Sequence, residues 1–375
     1  MKKVFACLLA VIVAAGVYFF VEKSGLFDGI PDYVESYSPD KFYYKNLNST
    51  SKKAYDLIMR EICDFPERIL IPSLGNSELD SVYEAILYDH PQFFFLKNTC
   101  NTRSNGAKTF FYPEYTMDKS EYDEKLAALE KAENEIISQI TTDDEFETEL
   151  FLHDTLLKNC TYSDEISYVT SSPYGCLIER RASCEGYAKA MCRLLEKCGL
   201  ECILAVGEVQ KNEDVSNVGH MWDIVKINGK YYHLDPTWDD NNNDNSRLSY
   251  IYFNDNDDLL RKTHTIPDRF LGLCNSTDDN YFVKTSALFS TYDESVKNKI
   301  SALIVKGADS GSPIAPFMFE NESDYKKAQK DLFDNEQIYR LLQRADMITD
   351  KKLITDKVYY WPEDTFFVIT VFNFY

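Results

Sequence analysis

His220-Met221-Trp222-Asp223-Ile224-Val225-Lys226-Ile227-Asn228-Gly229-Lys230-Tyr231-Tyr232-His233-Leu234-Asp235 is two β-branched and aromatic runs joined by Asn228-Gly229. An Asn-Gly pair between such runs is the strongest short hairpin signal, because both residues accept the positive φ of a two-residue turn. That turn sets the register. Ile227 faces Lys230, so Ile224 faces His233 and Trp222 faces Asp235. Side chains two apart on a strand share a face. His220 and Asp235 are therefore diagonal neighbours on one face, roughly 7–8 Å apart at the backbone, which an imidazole–carboxylate hydrogen bond can span. Pro236 ends the second strand. A base beside an orienting carboxylate is half of a nucleophilic site. The bland alternative is a His and an Asp in ordinary polar contacts at a strand rim. His233 shares the face but sits deeper in the hairpin, and is read as a packed core histidine. His153 on a helix is read as structural, His90 as ending a helix before Pro91, and His264 as a loop residue.

The nucleophile candidate lies upstream. Arg181-Ala182-Ser183-Cys184-Glu185-Gly186-Tyr187-Ala188 opens a helix that Gly199 ends. Ser183 is a natural N-cap and Glu185 sits in the first turn. Cys184, Tyr187, Ala188, Met191, Leu194, Leu195 and Cys198 form the inward face. Glu185, Lys189, Arg193, Glu196 and Lys197 form the outward one. At the first turn the helix dipole and free N–H groups stabilise a thiolate and can point at a developing oxyanion. Taken alone, a cysteine on an apolar helix face is usually core. Beside the hairpin pair it becomes the nucleophile of a Cys184, His220, Asp235 triad, with His220 as general base and acid and Asp235 as its orienter.

Three stretches carry a family resemblance: Ser183-Cys184-Glu185-Gly186-Tyr187-Ala188, Gly219-His220-Met221-Trp222, and Tyr232-His233-Leu234-Asp235-Pro236-Thr237-Trp238-Asp239-Asp240. In this order they resemble the transglutaminase-like superfamily, especially its bacterial exported members. The resemblance implies an α+β, papain-like core, in which a helix bearing the cysteine packs on an antiparallel sheet bearing His and Asp. It implies acyl transfer through a thioester, with an amine or water as acceptor and a protein or peptide as substrate. Glu179-Arg180-Arg181 is more charged than the family's usual approach to the cysteine, and Asp223 stands where Asn is common. No cofactor is expected. The oxygen-rich runs Asp239 to Asp244 and Asn254 to Asp258 fail an EF-hand reading. Starting from Asp240, the sixth position is Asn245 rather than Gly and the twelfth is Ile251 rather than Glu. They are read as solvated acidic loops, so no metal site is assigned.

The rest of the chain frames this core. It has 375 residues, enough for two or three structural units, and a formal net charge of −21. Without Lys/Arg clusters a nucleic-acid partner is excluded. Lys2-Lys3 precede an apolar run from Val4 to Val21. As a helix it would span about 27 Å, enough for the hydrocarbon layer. Residues 1–21 are thus read as a membrane anchor with an extracytoplasmic body. A cleaved signal ending near Val13-Ala14-Ala15 is the rival. Residues 22–40 read as a linker, 41–117 as a small α/β unit, and 118–144 as a helical connector. The core is placed at 145–285 and a C-terminal α+β appendage at 286–375. Ten scattered cysteines without a CxxC pair support no zinc site. The rival functions are a catalytically idle cell-surface binding or structural module, and a cell-wall peptidase; either would meet cell-envelope components.

Overall fold

In the computed structural model, described here for residues 29–31, 33–104, 108–209, 218–240, 248–311, 314–372 and 374, Asn228 and Gly229 both take positive φ, 51° and 80°. This is the turn that the hairpin reading requires. Its strands are β7 (Val218–Ile227) and β8 (Lys230–Leu234), and their pairing runs from Ile227 with Lys230 to Asp223 with Leu234. The register is the one expected.

The chain folds as two compact units. The first holds residues up to Asp89 and Leu96–Lys119. Its sheet has β1 (Ile69–Pro72), β2 (Leu96–Ser104) and β3 (Lys108–Tyr115), all antiparallel in the order β1-β3-β2. Helices Ser49–Glu61 and Asn76–Asp89 bury Leu57, Ile58, Val82 and Ile86. The aromatic stretch Phe93–Phe95 is a turn in the second unit, with Phe93 N–H donating to the His90 carbonyl. Its rings pack rather than pair: Phe94 and Phe95 lie 5.2 and 4.4 Å from the Tyr122 ring.

The second unit holds His90–Phe95 and everything from Ser120 onward. A short parallel pair, β4 (Thr161–Tyr162) and β5 (Arg181–Ala182), lies beside the start of the cysteine helix Cys184–Lys197. The central sheet comprises β6 (Cys202–Val209), β7 (Val218–Ile227), β8 (Lys230–Leu234), β9 (Phe253–Asp255) and β10 (His264–Thr265). Its order is β10-β6-β7-β8-β9, antiparallel throughout. The cysteine helix packs on β6 and β7, burying Tyr187, Met191 and Leu194. This is the α+β, papain-like arrangement expected. After it come β11 (Leu288–Phe289), β12 (Ile314–Phe319), β13 (Tyr359–Glu363) and β14 (Val368–Phe372), in the order β11-β12-β14-β13. The helical segment between β12 and β13 is two helices, Glu322–Gln329 and Gln337–Asp346, separated where Glu336 takes a left-handed φ of 57°.

Two readings of the cysteine helix change. Lys189 and Arg193, expected on its outward face, are buried. Lys189 pairs with Glu185 one turn back at 2.6 Å, while the charged helix Lys119–Ile137 meets Arg193 with Glu133, itself fully buried. Arg193 Nε and Nη2 reach Glu133 Oε1 and Oε2 at 2.5 and 2.8 Å, and Lys197 Nζ reaches Oε2 at 2.9 Å. Charge periodicity cannot tell a solvated face from one met by a buried counter-charge. The other change is the cap. Ser183 Oγ does not accept from the first turn; it donates to the Thr170 carbonyl at 3.3 Å. Gly186 explains the closeness of that loop: a Cβ there would lie 2.2 Å from the Thr170 carbonyl oxygen.

Asp223 is fully buried on β7, between Leu204 and Leu234. Cys202 Sγ lies 3.4 Å from its Oδ1, and Oδ2 has no protein partner. Burial pushes this carboxyl well above the usual carboxylate range, which favours its neutral form, the one an Asn would mimic.

Among the described residues no helix is long and apolar enough to cross a membrane, and the expected anchor, residues 1–21, lies outside them.

Glu133→Leu alone strands Arg193 and is expected to cost about 3–5 kcal/mol in urea unfolding, whereas Glu133→Leu with Arg193→Met recovers most of it. The raised Asp223 pKa means that folding takes up a proton, so its favourable contribution is full below the unfolded value and fades as pH rises toward the folded one. Asp223→Asn is therefore expected to raise the unfolding midpoint, with a larger gain at about pH 8 than at about pH 5.

Candidate active site

His220 stands on β7 opposite Gly207 of β6, two positions beyond Trp222 on the same face. Asp235 follows the last residue of β8, where Pro236 turns the chain into the short helix Pro236–Asp239. Their side chains meet: His220 Nε2 lies 2.6 Å from Asp235 Oδ2, and both residues are buried. Cys184 is the first residue of its helix, is partly exposed, and lies within hydrogen-bonding reach of His220. With Nε2 committed to Asp235, Nδ1 is the nitrogen left for the thiol. All three residues singled out in the sequence come together.

The electrostatics favour a charged imidazole. Burial opposes a charge on His220, but the Asp235 carboxylate outweighs it, with Cys184 adding to the effect, and the imidazole is pushed up to about 10. Burial would likewise raise Asp235. His220 and His264 override it and hold this carboxyl well below the usual range. Two backbone donors also serve Asp235, since Thr237 and Trp238 N–H reach Oδ1 at 2.9 and 3.2 Å.

His264, expected in a loop, is a strand residue. It lies on β10, opposite Val209, and is buried, with Nε2 3.0 Å from Asp235 Oδ2. No sequence signal pointed to it, because a two-residue strand is too short for periodicity. His233 is a packed core histidine as expected. Trp222 Nε1 donates to its Nδ1 at 3.1 Å, and its Nε2 faces Asp257 Oδ1 at 3.0 Å. That arrangement fixes the His233 proton on Nε2, the nitrogen a metal held by His233, Asp257 and Cys274 would need bare. His220, Asp235 and His264 also bring one ligand atom each within 4.8 Å of the others, but these atoms are engaged in mutual hydrogen bonds.

The solvated-loop reading of the acidic runs needs correction. Asp239 is fully buried, accepts from Tyr252 N–H at 3.2 Å and faces His153 Nε2 at 3.3 Å. Asn254, Asp255 and Asp257 are buried too, because Asn254 donates to Glu149 and Asn280 donates to Asp255. Of the first run, residues 241–244 lie outside those described. Asp240 accepts from Tyr187 Oη on the cysteine helix at 2.5 Å.

Cys184 and His220 open onto a cleft of about 620 Å³, whose walls include Tyr162, Asp164, Trp238 and Asp240. A half-exposed thiol, a buried imidazole and an ionised carboxylate in line beside such a cleft have the elements of nucleophilic acyl transfer.

No curated protein matches the chain. A solved structure of a TGase is 16% identical over 45% of this chain and 50% of its own, with a TM-score of 0.27. A candidate cysteine protease from Cytophaga hutchinsonii is 12% identical over 37% of this chain and 61% of its own, at 0.26. A candidate protease from Parabacteroides distasonis is 15% identical over 37% and 30%, at 0.22. This chain thus spans half of the first, and all three superpose only in part. The match that bears on the site is to the Transglutaminase-like superfamily, over residues 131–236, a segment that contains Cys184, His220 and Asp235. Residues 131–236 thus match a transglutaminase-like core, and the rest of the chain lies outside that match.

Proposed function

We propose that this protein is an exported cysteine enzyme that transfers acyl groups from protein or peptide amides through a thioester. Cys184 is the nucleophile, His220 the general base and acid, and Asp235 the orienter. The observation that carries the reading is the 2.6 Å bond from His220 to Asp235, which turns the other imidazole nitrogen to the cysteine. The Cys184 thiolate attacks the amide carbon, and the C–S bond forms. The C–N bond then breaks as the His220 imidazolium gives its proton to the leaving nitrogen. Water or a primary amine next attacks the thioester, His220 takes a proton from it, and the thiolate leaves. The first-turn N–H groups of the cysteine helix, whose cap hydroxyl is engaged at Thr170, suit the oxyanion. The Lys2-Lys3 pair and the apolar run to Val21 support a body held outside the cytoplasm by an N-terminal anchor, or released after cleavage, in reach of cell-envelope components.

At about pH 6.5, where an ordinary thiol is almost wholly protonated, iodoacetamide is expected to alkylate Cys184 at least about tenfold faster than the other cysteines. His220→Ala is expected to abolish that advantage and to lower turnover of a glutamine peptide by about a thousandfold. Ordinary labelling that His220→Ala leaves unchanged would overturn the reading in favour of an idle module. Ammonia release from the peptide, measured with and without a primary amine, then separates transfer to amines from hydrolysis.

A further inference from the structure

Asp235 Oδ2 serves two imidazoles, and only one of them faces the cysteine. His264 Nε2 lies 3.0 Å from it, and its Nδ1 lies 2.9 Å from the hydroxyl of Thr263. An ionised carboxylate can only accept, so the His264 proton sits on Nε2 and Nδ1 is bare; the Thr263 hydroxyl beside it also lies 3.4 Å from the Leu260 carbonyl. The ring is fully enclosed, with Trp238, Trp222 and Tyr252 centroids at 4.8, 5.3 and 5.6 Å and that of His220 at 5.4 Å.

We propose that His264 is a positioning residue of this site, a neutral N–H donor that holds Asp235 in place for His220. The inference rests on the triad reading above. The physical case is a division of labour on one buried carboxylate. The charged and titratable groups facing His264 are Asp235, His220 and His233. Burial lowers the His264 pKa below the ordinary histidine range, and the charged His220 disfavours another positive charge, while Asp235 only partly compensates. The proton that a carboxylate–imidazole pair can hold thus goes to His220, and His264 contributes a donor without a charge. A neutral donor leaves the carboxylate ionised and uses the lone pair that would otherwise let it turn away from His220.

The rival explanation is that His264 only fills an aromatic box. A phenylalanine would fill it nearly as well but has no donor, whereas a glutamine places an amide N–H near the site of Nε2. His264→Phe is expected to fold, by near-ultraviolet circular dichroism, and to slow Cys184 alkylation at about pH 7 by about tenfold or more, the effect of one lost hydrogen bond to a charged group. His264→Gln is expected to stay within about threefold of the unaltered protein. A Phe variant as fast as the unaltered protein, or a Gln variant as slow as the Phe one, overturns the proposal. Should His264→Phe not fold, long-range ¹⁵N ring spectra of the unaltered protein decide: a protonated Nε2 with a bare Nδ1 supports it, and a bare Nε2 overturns it. Slow alkylation of the unaltered protein that His220→Ala leaves unchanged sinks the triad reading and this one together. Fast alkylation with an indifferent His264→Phe sinks this one alone.

Discussion

A carboxylate without solvent costs several kcal/mol unless donors replace the lost water. Asp235 is fully buried, and donors surround both its oxygens: two backbone N–H groups of the turn after Pro236, the His220 ring and the His264 ring. They come from the short helix after β8, from β7 and from β10. Three separate elements therefore converge on one side chain. The hairpin brings His220 near, the Pro236 turn rotates the carboxylate into place, and the sheet edge closes over it with His264. This convergence accounts for an ionised group in an otherwise apolar, aromatic setting.

The cysteine helix is constrained at both ends. At its start, Ser183 N–H and Oγ both bond the Thr170 carbonyl, and only a glycine at 186 admits that loop. Toward its end, Arg193 and Lys197 converge on buried Glu133. The helix is thus enclosed along most of its length, and its first residue comes out at the cleft. Rigidity of this kind holds a thiol within reach of its base.

Acidic residues are sorted by surroundings rather than by type. Asp235 has donors and stays charged. Asp223, whose Oδ2 lacks a protein partner, favours its neutral form, and burial pushes Glu149 up to about 8. Asp239 and His153 form a buried pair, with the imidazole pushed up to about 9. A net charge of −21 thus says little about the interior.

What sequence alone determined was whatever rests on local chemistry. Asn228-Gly229 sets a turn, the turn sets a register, and the register puts His220 and Asp235 on one face. Gly199, at a positive φ of 83°, likewise ends the cysteine helix, since a left-handed C-terminal residue acts locally; the Ser183 hydroxyl, by contrast, turns to the Thr170 carbonyl instead of capping. What only the tertiary structure decided was what approaches from far along the chain. His264 reaches Asp235 across 29 positions, Glu133 reaches Arg193 across 60, and Asn254 reaches Glu149 across 105. A charged residue reads as solvated until its partner arrives, and no periodicity encodes a partner that distant. Hydrogen bonds and ion pairs are settled by where atoms end up in space. Turns and caps are settled by the residues that make them.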